Sequence, residues 1–107
     1  MNNSIKFGIN DGNLPCHDVF LYRELCQLIP EELWDTARPY TGMYGNAAVK
    51  NAMIPNDEFI HWLTSNEIEY IIHSVWNDGC SLYLINHTDE LLALIKLSWN
   101  NLYCTIT

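Results

Sequence analysis

Basic side chains are scarce in this chain: five lysines and arginines stand against 13 acids, a net charge of −8. Phosphate backbones are bound through Lys and Arg, so direct nucleic-acid binding is not expected. No apolar run approaches the roughly 18 residues that a membrane-spanning helix needs, and no membrane partner is expected either. The opening residues, Met1 to Gly8, have neither the basic stretch nor the apolar core of a secretion signal, which points to the cytoplasm. None of the four cysteines, Cys16, Cys26, Cys80 and Cys104, stands in a C-x-x-C pair. In a reducing compartment they read as buried small hydrophobes. A zinc set drawn from Cys16, His17, Cys26 and a distant residue matches no ligand spacing of that metal. There is no G-x-G-x-x-G and no P-loop, and no serine lies in a nucleophile elbow. No cofactor, metal or enzymatic activity is expected.

What is present suits one domain over residues 1–107. Hydrophobic residues make up 49% of the chain, enough for an ordinary core. Charged residues are only 17% and the acids are scattered. A nucleic-acid mimic would carry denser carboxylate rows. Here the negative charge keeps the protein soluble and allows it to meet a basic protein surface.

Residues 69–86 are the most informative stretch. They predict a β-hairpin with aliphatic and aromatic residues on both faces. Asp78-Gly79 is a two-residue turn signal, because a type I′ turn needs positive φ at both central positions. That turn sets Asn77 opposite Cys80, Val75 opposite Leu82 and His73 opposite Leu84. One face then holds Ile71, His73, Val75, Leu82 and Leu84. The other holds Tyr70, Ile72, Ser74, Trp76, Ser81, Tyr83 and Ile85. A sheet with one solvated face alternates apolar with polar residues. This hairpin does not, so a cover is expected on the second face, from this chain or from a partner.

The rest of the chain supplies a first strand at residues 4–9, where Ile5, Phe7 and Ile9 share a side. A turn follows at 10–13. Over residues 16–29, Leu21, Leu25, Leu28 and Ile29 recur at helical spacing, and Asp18 sits where a negative charge suits the helix dipole. Pro30 ends that helix and can open the next, over 31–37. Residues 38–55 read as a loop followed by a short helix that Asn46 caps. The segment is either functional or a connector that packs Tyr40, Met43 and Tyr44 on the sheet. Asn56 and Thr88 cap two further helices, with acids in each first turn. Residues 91–99 could instead form a strand, but their leucines favour helix. Asn100-Asn101 offers a left-handed stop, and a last strand runs over 102–107.

This order predicts an α+β fold: a four-stranded antiparallel sheet with helices on one face, in ferredoxin-like (split βαβ) order. Ile5, Phe7, Ile9, Ile71, Val75, Leu82, Leu84, Cys104 and Ile106 are the expected core. Tyr70, Ile72, Trp76, Tyr83, Ile85 and Tyr103 are the expected partner-binding set on the open face, since Tyr and Trp anchor protein interfaces. RNA-binding sheets stack bases on such a face, but their basic, Gly- and Phe-rich motif is absent. The competing expectation is that residues 38–55 cover the face. His73 reads as a hydrogen-bonded core histidine, and His17, His61 and His87 as residues near helix starts and surfaces.

Residues 86–99, Asn-His-Thr-Asp-Glu-Leu-Leu-Ala-Leu-Ile-Lys-Leu-Ser-Trp, resemble the strand–D-E–helix–F-K-L-x-W ending of small tailed-phage accessory proteins. Ile95 replaces the usual Phe. The resemblance, to proteins of unknown activity, implies a phage origin more than an activity, and it favours a phage-encoded inhibitor of a host or defence protein. The expectation is thus a small acidic non-enzymatic protein-binding module. It would block a nuclease or nucleic-acid-handling complex that has a basic surface. An immunity protein or antitoxin is one alternative. A minor virion or assembly subunit is another, with a homodimer through the same face as its simplest form.

Overall fold

The computed structural model describes residues 5–9, 17–41, 48–85 and 88–99, and the backbone of 104–106. The fold is α+β. Its strands are β1 His17–Tyr22, β2 Cys26–Leu28, β3 Met53–Pro55, β4 Glu69–Trp76, β5 Gly79–Ile85 and β6 Cys104–Ile106. Its α-helices are α1 Trp34–Ala37, α2 Asp57–Ser65 and α3 Asp89–Ser98. Strands β4, β5, β1 and the short β6 hydrogen-bond in that order, each neighbour antiparallel. Strands β2 and β3 form a separate antiparallel ribbon.

The strand expected at residues 4–9 is not one over its described part, residues 5–9. Phe7 makes an isolated parallel bridge to Ile72. The Gly8 N–H donates to the Ile72 carbonyl (3.0 Å), and the Ile72 N–H donates to the Lys6 carbonyl (2.8 Å). This short piece satisfies part of the outer edge of β4, where unpaired backbone groups would invite another strand.

The sheet takes its strand from the segment expected to be helical. Two periodicities compete there. The leucine spacing suggests a helix, but Asp18-Val19-Phe20-Leu21-Tyr22 alternates and is rich in β-branched and aromatic residues. The strand wins: Val19 and Leu21 are fully buried, with Asp18, Phe20 and Tyr22 on the opposite face. His17 is therefore a strand residue. Leu25 and Ile29 still reach the core, carried there by a 3-10 turn at Arg23–Leu25 and by β2. The helix expected after Asn46 is replaced, in its described part, by a 3-10 turn at Val49–Asn51 and by β3.

The helix starts follow the local chemistry. Pro30 precedes a 3-10 turn, Glu31–Leu33, that runs into α1. The Phe59 N–H donates to Asn56 Oδ1 (2.9 Å) at the start of α2. The Leu91 N–H donates to Thr88 Oγ1 (3.2 Å) at the start of α3, so residues 91–98 are helix and not a third meander strand. The two helices meet where Trp99 stands edge-on to Phe59 (5.0 Å) and Trp62 (5.9 Å). Among the described residues no helix is long and apolar enough to cross a membrane.

One face of the main sheet, with Val19, Leu21, Ile72, Val75, Leu82 and Leu84, joins Ile54, Phe59, Leu63 and Ile95 in the core. Val75, Leu82 and Leu84 are where the alternation put them. Ile5 and Phe7 flank the core half-buried, and Phe7 stacks on Tyr40 (5.6 Å). Ile9, expected inside, is exposed. The turns at 10–13 and 100–101 and the side chains of Cys104 and Ile106 lie outside the described residues.

Candidate interaction face

The hairpin closes at Trp76 opposite Gly79, so Asn77-Asp78 forms its turn and Gly79 belongs to the strand. Val75 then faces Cys80 and Ser74 faces Ser81. Beyond them the register slips: Ile72 faces Leu82, Ile71 faces Tyr83 and Tyr70 faces Leu84. His73 is the extra residue of a β-bulge. One inserted residue exchanges the two faces for everything on its far side.

The bulge corrects the expected partner-binding set. Tyr70 and Ile72 turn into the core, 4% and 0% exposed. Burial, with a smaller contribution from the nearby Cys80, pushes the Tyr70 phenol up to about 12. Ile71, expected in the core, takes the opposite face. Trp76, Tyr83 and Ile85 remain on that face, half-buried. Tyr103 lies outside the described residues.

Register places three rows on the face away from the helices. Ile71, Tyr83 and Asp18 form the first, Ser74, Ser81 and Phe20 the second, and Trp76, Gly79 and Tyr22 the third. The imidazole of His73 stacks on the Tyr83 ring, with centroids 3.9 Å apart and planes 17° from parallel. Its Nε2 lies 2.7 Å from Asp18 Oδ1. The Phe20 and Trp76 rings meet at 6.4 Å. Ser74 and Ser81 sit between these aromatic groups, wholly buried, and neither hydroxyl has a hydrogen-bond partner.

The imidazole is held between the Tyr83 ring and the Asp18 carboxylate. The His73 side chain is 6% exposed and the Asp18 side chain 31%. Neither the Ser74 nor the Ser81 hydroxyl is bonded to the imidazole. His73 is hydrogen-bonded as expected, but on the second face and not among core residues. Among the described residues, no group of three or more His, Cys, Asp or Glu side chains is placed to hold a metal ion.

The described part of residues 38–55 does not lie on this face. Val49, Ala52 and Ile54 belong to the core, and Tyr40 packs against it. Residues 42–47, with Met43 and Tyr44, lie outside the described residues. Asp18, Phe20 and Tyr22 were absent from the expected set because their segment read as a helix. The signal that could have found them is the alternation of residues 18–22.

No protein-family model matches this chain, and no curated protein and no solved structure is significantly similar to it.

Proposed function

We propose that this chain is a small acidic, non-enzymatic protein-binding module that occludes a basic surface on its partner, as an inhibitor of a nuclease or other nucleic-acid-handling complex. The observation that carries this reading is the sheet face away from the helices. Phe20, Trp76 and Tyr83 converge there and each keeps part of its surface exposed. Tyr and Trp offer a large contact area for few frozen torsions and are enriched among interface hot spots. The His73–Asp18 strut holds one of these rings in place before any partner arrives. The net charge of −8 would steer association with a basic surface and repel nucleic acid.

The finer fold reading supports this. We take the order β4-β5-β1-β6 as a split βαβ arrangement with His17–Tyr22 as first strand, an architecture whose helices occupy one side of the sheet. The likeness of residues 86–99 to tailed-phage accessory proteins supports a host or defence protein as the target, met in the host cytoplasm.

The test is affinity capture from the host with the intact chain and with Trp76→Ala and Tyr83→Ala. Each substitution should weaken a captured partner roughly tenfold or more, the size of an interface hot spot, while circular dichroism stays unchanged. Equal binding by folded variants overturns the reading. A dimer in light scattering that Trp76→Ala dissolves would make the partner a second copy of the chain.

A further inference from the structure

We propose that Cys26 and Cys80 are a modification site: a thiol pair that closes to a reversible disulfide and locks the β2–β3 ribbon to the main sheet. The two residues are 54 positions apart in sequence, yet their sulfurs lie 3.7 Å from each other. Each is fixed by a different sheet. Cys26 opens β2 and pairs with Pro55. Cys80 lies in β5, paired with Leu21 on one side and Val75 on the other. The ribbon's own pairing continues past this point, where the Asn56 N–H donates to the Leu25 carbonyl (2.8 Å), so the position of Cys26 is held from both sides of its residue. The Cys26 thiol is directed at the Leu21 carbonyl (3.8 Å), so its sulfur is aimed at the strand that neighbours Cys80.

A disulfide needs about 2.05 Å between sulfurs, so the pair must approach by less than about 2 Å, within reach of rotation about the two Cα–Cβ bonds. Exposure assigns the roles. Cys26 is half-buried and both thiols are free, while Cys80 is buried. Cys26 therefore meets the oxidant. Burial holds the Cys80 thiol well above its ordinary value, so it keeps its proton until it attacks.

With a hydroperoxide as oxidant, the Cys26 thiolate attacks the peroxide oxygen. The O–O bond breaks, and a sulfenic acid and hydroxide (or the corresponding alkoxide) form. The Cys80 sulfur then displaces the hydroxyl from Cys26, its proton leaves with that hydroxyl as water, and the S–S bond forms. Two thiols lose two electrons and the peroxide gains them. A small-molecule disulfide reaches the same product by exchange, releasing two thiols. The oxidised protein has its ribbon and sheet joined covalently, and reduction frees them.

The intact chain, treated with hydrogen peroxide and separately with oxidised glutathione, is alkylated, digested and mapped by mass spectrometry. A monomeric Cys26–Cys80 cross-linked peptide is expected in both arms, removed by dithiothreitol. Cys26 and Cys80 remaining alkylatable while another cysteine of the chain oxidises overturns the proposal. A Cys16→Ser/Cys104→Ser variant carries only the proposed pair. It should lose both titratable thiols on oxidation and unfold at a higher temperature than its reduced form. Retention of both thiols, or a disulfide only between chains, sinks the idea. Adding Cys80→Ser to that variant should leave Cys26 as a mixed disulfide with glutathione.

Discussion

His73 reaches over the ring of Tyr83 on β5 to the carboxylate of Asp18 on β1, so one imidazole from β4 spans three strands. The reach depends on the bulge. Without the extra residue, His73 would point into the core with Val75, as simple alternation predicts. Asp18→Ala removes the acceptor and leaves a nearly buried imidazole nitrogen without that partner. A loss of about 1–3 kcal/mol is expected, read as a lower urea midpoint. Asp18→Asn keeps an acceptor and should lose less. An unchanged midpoint in Asp18→Ala would show that the strut carries no stability.

Ser74 and Ser81 make the opposite prediction. Both hydroxyls are buried and unpartnered, so each gives up hydration without a bond in return. Such a group costs about 1–3 kcal/mol. Ser81→Ala removes the polar atom and adds no bulk. It should leave stability unchanged or raise it, and Ser74→Ala/Ser81→Ala should do so more clearly. A loss above about 1 kcal/mol in the urea midpoint would mean that the hydroxyls are satisfied in solution.

The helix starts and the presence of the hairpin are legible because their signals are local, but the register is not: the turn is Asn77-Asp78 where the sequence suggests Asp78-Gly79, so Val75 faces Cys80 and not Leu82. Asn56 and Thr88 each place a side-chain oxygen at an open N–H, and nothing distant competes. The first strand was not legible. Leu21, Leu25 and Ile29 all reach the core, but a strand, a 3-10 turn and a second strand deliver them as well as a helix would. Simple alternation puts Tyr70 and Ile72 on the wrong face for a different reason. No residue type announces a bulge, and a single extra residue at His73 reverses the parity on which the assignment rested. Trp76 and Tyr83 kept their face because Trp76 lies on the turn side of the bulge and Tyr83 lies in the unbulged β5.

The Asp78-Gly79 pattern implies a turn glycine with positive φ, but the role of Gly79 is steric. A Cβ built at Gly79 would overlap the Leu21 carbonyl oxygen of β1. The obstacle is backbone inside a paired sheet, which cannot swing aside as a side chain can. Gly79→Ala should cost at least about 2 kcal/mol, at the upper part of the overpacking range. The loss appears in chemical denaturation and as faster amide exchange in β1 and β5. Gly8 offers the contrast. Its added Cβ would meet only the Ile71 side chain, so Gly8→Ala should be far milder.

The cap of α2 can be isolated from packing. Asn56 Oδ1 takes the Phe59 N–H, while Phe59 itself is buried. Asn56→Ala should cost about 1 kcal/mol, and Asn56→Asp or Asn56→Ser should restore most of it. Full stability in Asn56→Ala would mean that water replaces the cap without loss.

Tyr70 gives the chain an alkaline limit. Its folded pKa is raised from 10.0 to about 12, chiefly by burial and then by Cys80. The unfolded chain gives up its phenol proton near pH 10, while the folded chain holds it. Above that pH the unfolded state binds fewer protons, so stability falls with rising pH. The contribution of the neutral phenol is therefore complete below pH 10 and is lost between about pH 10 and 12. Two units of difference set a ceiling of about 2.7 kcal/mol, and dielectric relaxation around the ionised phenol lowers the expectation to on the order of 1–2 kcal/mol. Tyr70→Phe has no proton to lose at this site. The urea midpoints of the two proteins should move closer, or cross in favour of Tyr70→Phe, between pH 9 and 11.5. Titrations of groups that do not interact with Tyr70 are common to both and cancel, and the nearby Cys80 thiol is removed from the comparison by making both proteins in a Cys80→Ser background. Midpoints that fall in parallel over this range would show that the Tyr70 phenol ionises as readily in the folded protein as in the unfolded one.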